Sequence, residues 1–176
     1  MERGGVVMAS FLGVVDCREA ASDTPGATAR GQLSGAAIAA MSTDQKEQSM
    51  SKSPGHAQHP EHQVRETRLP DVVKVRIEGL TVAESEDVIR VDEDKNPPRY
   101  YFPRSDVRME TLRPNDTVTH CPFKGKATYF DLDAQGNHLK DAVWSYEEPY
   151  DEHADLAQRV AFDGDRFPVI HIQVGD

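Results

Sequence analysis

Lys126-Ala-Thr-Tyr-Phe-Asp-Leu132, then Asp133-Ala-Gln-Gly-Asn137, then Leu139-Lys-Asp-Ala-Val-Trp-Ser-Tyr146 is the run that decides the fold. Apolar and polar residues alternate on both sides of a glycine-containing loop. That period of two is the mark of strands with one buried face, and the loop joins them as an antiparallel hairpin. Trp144 and Tyr146 share a face at spacing two.

The same pattern recurs on either side. Upstream, Val73-Lys-Val-Arg-Ile-Glu78 alternates cleanly, and Gly79 permits a tight turn into Thr81-Val-Ala-Glu84. Val88-Ile-Arg-Val91 and Arg99-Tyr-Tyr-Phe102 read as further strands, separated by the turn-forming run Asp92 to Pro98. Asp106 to Glu110 reads as a short strand or bridge, and Leu112 to Asp116 as a turn. Downstream, Asp151 is placed to cap one helix whose Leu156 and Val160 face the core. Asp163-Gly-Asp165 then turns the chain into a last strand, Phe167 to Val174. Six to nine short strands and one short helix predict a mainly β domain, either a curled antiparallel sheet or a small barrel.

Composition divides the chain. Eleven of its twelve aromatic residues follow Met50, and only Phe11 precedes it. Nine alanines and six glycines occupy the first 49 residues, which have no sustained apolar period. Residues 1–49 therefore read as a disordered leader, with Met50 as a natural start and Met8 and Met41 as others. Gly4 to Val15 is apolar, but Asp16 and Glu19 follow at once, which argues against an export signal. Residues 50–69 read as an extended arm, and 70–176 as a single β-rich domain.

The net charge is -10 overall, and -8 after Ser49. An acidic domain is a poor partner for nucleic acid, because phosphate neutralisation needs a basic face. It is equally poorly matched to an anionic membrane, and no apolar run is long enough to span one. Two cysteines, Cys17 and Cys121, do not make a disulfide scaffold. They suit a reducing, cytoplasmic setting.

Chemistry concentrates in Thr117-Val-Thr-His-Cys-Pro-Phe-Lys-Gly-Lys126. A thiol becomes nucleophilic when nearby positive charge stabilises its thiolate, and Lys124 and His120 are local enough to supply that charge. A buried, inert cysteine is the commoner outcome. Adjacent residues of a strand point to opposite faces, which weakens a Cys121–His120 dyad. Arg99, Tyr100, Tyr101 and Arg104 form a cationic and aromatic cluster suited to anions or rings. The expected site has Cys121, Lys124, His120 and Tyr101 as chemical groups, and Arg99, Arg104, Trp144 and Tyr146 as ligand contacts. Asp131, Asp133 and Asp141 read as solvated turn charges. His56, His59 and His62 recur at spacing three, but Pro60 prevents one helix from aligning them, so they read as a polar arm. The other histidines are scattered and Cys121 stands alone in the domain, so no zinc site and no cofactor are expected.

Three segments in order carry a resemblance: Pro98-Arg-Tyr-Tyr-Phe-Pro-Arg-Ser-Asp-Val-Arg-Met109, Thr119-His-Cys-Pro-Phe-Lys-Gly125 and Ala142-Val-Trp-Ser-Tyr146. They resemble the family called domain of unknown function 427, as do Ser53-Pro-Gly-His56 and His59-Pro60 near its beginning. The resemblance implies a β-tent-like fold, a folded pair of antiparallel sheets. Relatives of that fold group carry zinc on paired cysteines, which this chain lacks. The family is sometimes labelled nucleotidyltransferase-like, yet the glycine-serine and paired-aspartate pattern that holds magnesium in such enzymes is missing. By position Tyr101, Asp106, Cys121, Lys124, Gly125, Trp144 and Tyr146 match the family motif, without assigned roles.

The sequence thus leads to a cytoplasmic small-molecule-binding domain, in one version an enzyme. A non-catalytic structural or interaction module and a nucleotidyltransferase-like activity are the alternatives.

Overall fold

A computed structural model describes residues 52–175. The leader lies outside the described residues, with Phe11, Cys17 and the starts proposed for it. Two antiparallel sheets make up the fold, as expected. In chain order the elements are α1 (Pro54–Gln58), β1 (Val64–Arg68), β2 (Val73–Ile77), β3 (Leu80–Ser85), β4 (Ile89–Glu93), β5 (Arg99–Phe102), β6 (Leu112–Cys121), β7 (Gly125–Ala134), β8 (Asn137–Pro149), β9 (Val160–Phe162) and β10 (Ile170–Val174). The larger sheet runs β1-β4-β5-β9-β8-β7-β6, and the smaller runs β10-β2-β3. No barrel closes.

Turn chemistry sets the registers. β7 and β8 meet at Ala134 and Asn137 around Gln135–Gly136, both at positive φ (50° and 76°). Two such residues give a turn whose twist matches that of the strands. Glu78–Gly79 does the same between β2 and β3, at 45° and 87°. Asp141 at φ 55° marks an irregularity in the β7–β8 pairing. There the Asp131 carboxylate accepts the Asp141 amide at 3.0 Å and the Asn115 side chain at 2.5 Å. Asp131 and Asp141 are thus not simply solvated turn charges; they hold the bulge.

Alternation then sorts the side chains. On one face of the large sheet Phe102, Val143, Val160 and Phe162 pack against Val73, Val75 and Ile77 of the small sheet. This is the main core. The other face carries Ile89, Val91, Tyr101, Cys121, Ala127, Tyr146 and Ala161, with Leu156 packed on it.

Three expectations are corrected. Where an extended arm was expected over 50–69, the described residues from 52 on hold α1, capped by Ser53, and β1, which pairs with β4 along its length. The helix expected from Asp151 is a 3-10 stretch, Asp151–Leu156, kinked at His153. Asp151 lies in its first turn rather than at its cap, and Val160 belongs to β9, although Leu156 is buried as expected. Leu112 to Asp116 is not a turn but the start of β6, whose irregular pairing past Pro114 mimics a break in the sequence.

Phe102 is fully buried and meets Phe162 edge to face at 5.7 Å. Phe102→Ala leaves a cavity at the meeting of the two sheets. We expect it to lower unfolding stability by about 3–5 kcal/mol, read as a lower urea midpoint at unchanged slope. A loss under about 1 kcal/mol contradicts this packing.

Candidate functional site

Cys121 ends β6 and Gly125 begins β7, with Pro122-Phe-Lys124 between them. Gly125 sits at φ +107°, where a side chain is strained, and its backbone lies close to that of Pro149. This loop swings Lys124 back over the sheet. The lysine is 5% exposed and its ammonium bonds to the Glu93 carboxylate at the end of β4. Glu93 accepts from His62 through its other oxygen, at 3.3 Å.

β5 contributes Tyr101 and Arg99 to the same face. Tyr101 is 1% exposed and accepts a hydrogen bond from the Trp144 indole at 3.2 Å. The Trp144 ring stands edge-on to Tyr101, and Tyr146 lies 6.3 Å from Tyr101 on its other side. Pairing aligns Tyr129 of β7 with Trp144 of β8, and Trp144 with Ala161 of β9. The Tyr129 hydroxyl bonds to Thr119 of β6 at 3.0 Å. Arg99 lies over the Trp144 ring at 5.5 Å. Its guanidinium also reaches Asp165 at 2.5 Å and Asp163 at 3.6 Å. Thus Tyr129, Trp144 and Arg99 form a half-buried row beside a buried polar cluster of Tyr101, Lys124 and Glu93, with Cys121 and Tyr146 completing the packing.

Burial dominates the acid–base behaviour of the two tyrosines. Burial pushes the Tyr101 phenol up to about 12, although Lys124 and the Trp144 hydrogen bond pull the other way. Burial likewise raises Tyr146 well above the ordinary phenol. For Lys124 burial alone favours the neutral amine. The neighbouring Tyr101, Cys121 and Glu93 outweigh it and hold the lysine above its ordinary value. Lys124 is therefore a fixed, compensated ammonium.

The structure brings six of the eight expected site residues to one face: Tyr101, Cys121, Lys124, Arg99, Trp144 and Tyr146. Two stand apart. His120 is exposed on the opposite side of β6, where its ring bonds to Tyr150 at 3.1 Å. Arg104 pairs with Glu147 and bonds to Ser145 at 3.1 Å, on the reverse face of β8. Glu93 was missed by the sequence reading, and its neighbour His62 was read as part of a polar arm. Glu93 falls within a run of acids and prolines that reads as loop, yet it keeps the parity of Ile89 and Val91 and so faces inward. Among the described residues, no cluster of three or more His, Cys, Asp or Glu side chains is arranged to hold a metal. Nor is any helix among them long and apolar enough to cross a membrane.

The family model described as Domain of unknown function (DUF427) matches residues 64–173, which contain all eight expected site residues. A comparison with curated proteins gave no match.

Glu93→Gln leaves the Lys124 ammonium buried without its counter-charge. We expect it to reduce stability by roughly 3–5 kcal/mol in chemical denaturation, with Lys124→Met in the same chain recovering most of the loss. An effect within about 0.5 kcal/mol refutes the pairing. A separate check is pH. The folded-state values of Tyr101 and Lys124 both lie above their unfolded ones, so their contribution is complete below about pH 10. It is lost as pH rises from there toward the folded values. Urea midpoints should fall between about pH 10 and 12 in the wild type, and less steeply in Tyr101→Phe; equal slopes contradict it.

Proposed function

This chain belongs to the domain of unknown function 427 family, and on the geometry above we propose that it is a cytoplasmic small-molecule-binding domain. Its ligand lies flat along Tyr129, Trp144 and Arg99. One observation carries this reading: a row of half-buried rings and a guanidinium runs along the sheet face that the second sheet leaves uncovered. Such surfaces gain from stacking and cation–π contact with a planar partner.

Charge narrows the ligand. The Lys124 ammonium is compensated by Glu93, and the Arg99 guanidinium faces two aspartates. Neither is a spare cation for a phosphate. A neutral or positively charged planar compound is the better match, and a nucleoside triphosphate the worse one. The overall negative charge supports the same preference, and it leaves nucleic acid and anionic membranes outside this reading. Cys121 is 2% exposed, which favours binding over a mechanism with the thiol as nucleophile. A cysteine kept as a thiol suits the cytoplasm.

Trp144 is the only tryptophan in the chain, so its fluorescence reports on this row directly. Titration with a panel of planar metabolites, neutral, cationic and phosphorylated, should give saturable changes with neutral or cationic members. Tyr129→Ala and Arg99→Ala should each weaken binding about three- to tenfold, the worth of one stacking or cation–π contact. A panel that leaves the fluorescence unchanged, or one in which only phosphorylated compounds bind, overturns the proposal.

A further inference from the structure

The residues ahead of β1 are fastened across the loop that carries Lys124. The Ser53 hydroxyl and the Gly55 amide both donate to the Pro122 carbonyl at 2.9 Å. The Ser53 amide donates to the Glu152 carboxylate at 3.1 and 3.3 Å. His62 stacks on Phe123 at 4.1 Å between centroids. A Cβ on Gly55 would come within 2.7 Å of the Pro122 carbonyl and the Phe123 ring, so α1 lies flush on the loop.

One contact in this strap has a proton count built into it. His153 is 3% exposed, and its Nδ1 donates to Glu66 on β1 at 2.6 Å. Its Nε2 meets the Nε2 of His56 at 3.1 Å. The ring centroids are 5.4 Å apart, about the nitrogen separation plus the two ring radii, so the nitrogens face each other head on. A metal ion at about 2.0–2.1 Å from both has no room on that axis; one proton does. With Nδ1–H of His153 committed to Glu66, the facing pair is satisfied when one Nε2 carries hydrogen and the other a lone pair. That arrangement accommodates two neutral rings, or one neutral ring and one cation. With both imidazoles charged, two N–H groups point at each other, one of them on the buried His153 ring.

We propose that the segment Ser53–Gln63 is a proton-released strap, held over the Lys124 loop at neutral pH by the Glu66–His153–His56 chain and let go when both imidazoles are charged. The detached strap binds one more proton than the docked one, so docking weakens as pH falls. Imidazoles make this change within the range of cellular pH. The charged groups facing the pair are Glu66 from β1 and Glu152 from the 3-10 stretch. Further along the strap, His62 faces Glu93, which also holds Lys124. The two carboxylates stabilise the first added proton but do not relieve the head-on clash created by the second. The strap lies over this loop whether or not a ligand uses the neighbouring aromatic row.

Amide hydrogen exchange at Gly55, corrected for the intrinsic pH dependence of exchange, tests this on the full chain. From about pH 7.5 to about pH 5, protection of Gly55 should fall, approaching about tenfold per pH unit, while β7 and β8 amides keep theirs. In His56→Gln the protection should be lower at neutral pH and nearly independent of pH. Where that variant no longer docks at all, His153→Gln decides. It leaves a single imidazole in the pair, so docking should again be nearly independent of pH over this range. Undiminished Gly55 protection at about pH 5 in the wild type overturns the proposal. So does the same pH dependence in His56→Gln or in His153→Gln, or simultaneous loss of protection in β7 and β8.

Discussion

A lysine ammonium buried against a carboxylate is the interaction on which the candidate site depends. Isolated in the interior, either charge would be strongly unfavourable. Together, Lys124 and Glu93 join two distant parts of the chain: the loop between β6 and β7, and the end of β4 on the far side of the large sheet. Spanning that distance draws the face of the sheet together over Tyr101 and Tyr146. It also fixes the site's electrostatic character, because the cation that the motif offers is already compensated. What remains accessible is the aromatic row, with Arg99 held over Trp144 between two aspartates.

The strands were legible because period-two alternation reports a strand with one face more buried than the other. β2 carries that signal undiluted, and the β7–β8 hairpin adds its turn to it. β9 does not: it is three residues long, central and buried on both sides, so Val160-Ala-Phe162 has no alternation to read. The Asp151 segment carries helical signals but becomes a 3-10 stretch, which turns His153 inward toward Glu66. β1 was hidden by charge, since Val64-Arg-Glu-Thr-Arg68 lies at a sheet edge and only Val64 has an apolar side chain.

The site shows the same division. Trp144 and Tyr146 could be assigned to one face from spacing, and Cys121 and Lys124 to one neighbourhood from the loop between them. Their common neighbourhood could not, because it depends on strand order, and β4-β5-β9-β8 is not sequential. Glu93 and His153 were missed because their function is a pairing across the sheet. A carboxylate in an acidic run, or a histidine in a polar segment, shows nothing of the buried partner that waits for it. His120 fails for a simpler reason: one residue of parity places it on the face opposite Cys121. Arg104 lies past the end of β5 in a 3-10 turn and pairs with Glu147 on the reverse face of β8.

The central claim is that Lys124 is a permanently charged, internally paired group rather than a free amine poised for chemistry. Lysine-selective heteronuclear NMR of the Cε and Nζ signals through an alkaline titration tests it most directly. The Lys124 resonances should remain at ammonium positions after the exposed lysines have titrated, and move only as the fold itself gives way. A Lys124 signal that titrates below the exposed lysines would mean that burial outweighs Glu93, and would contradict the account.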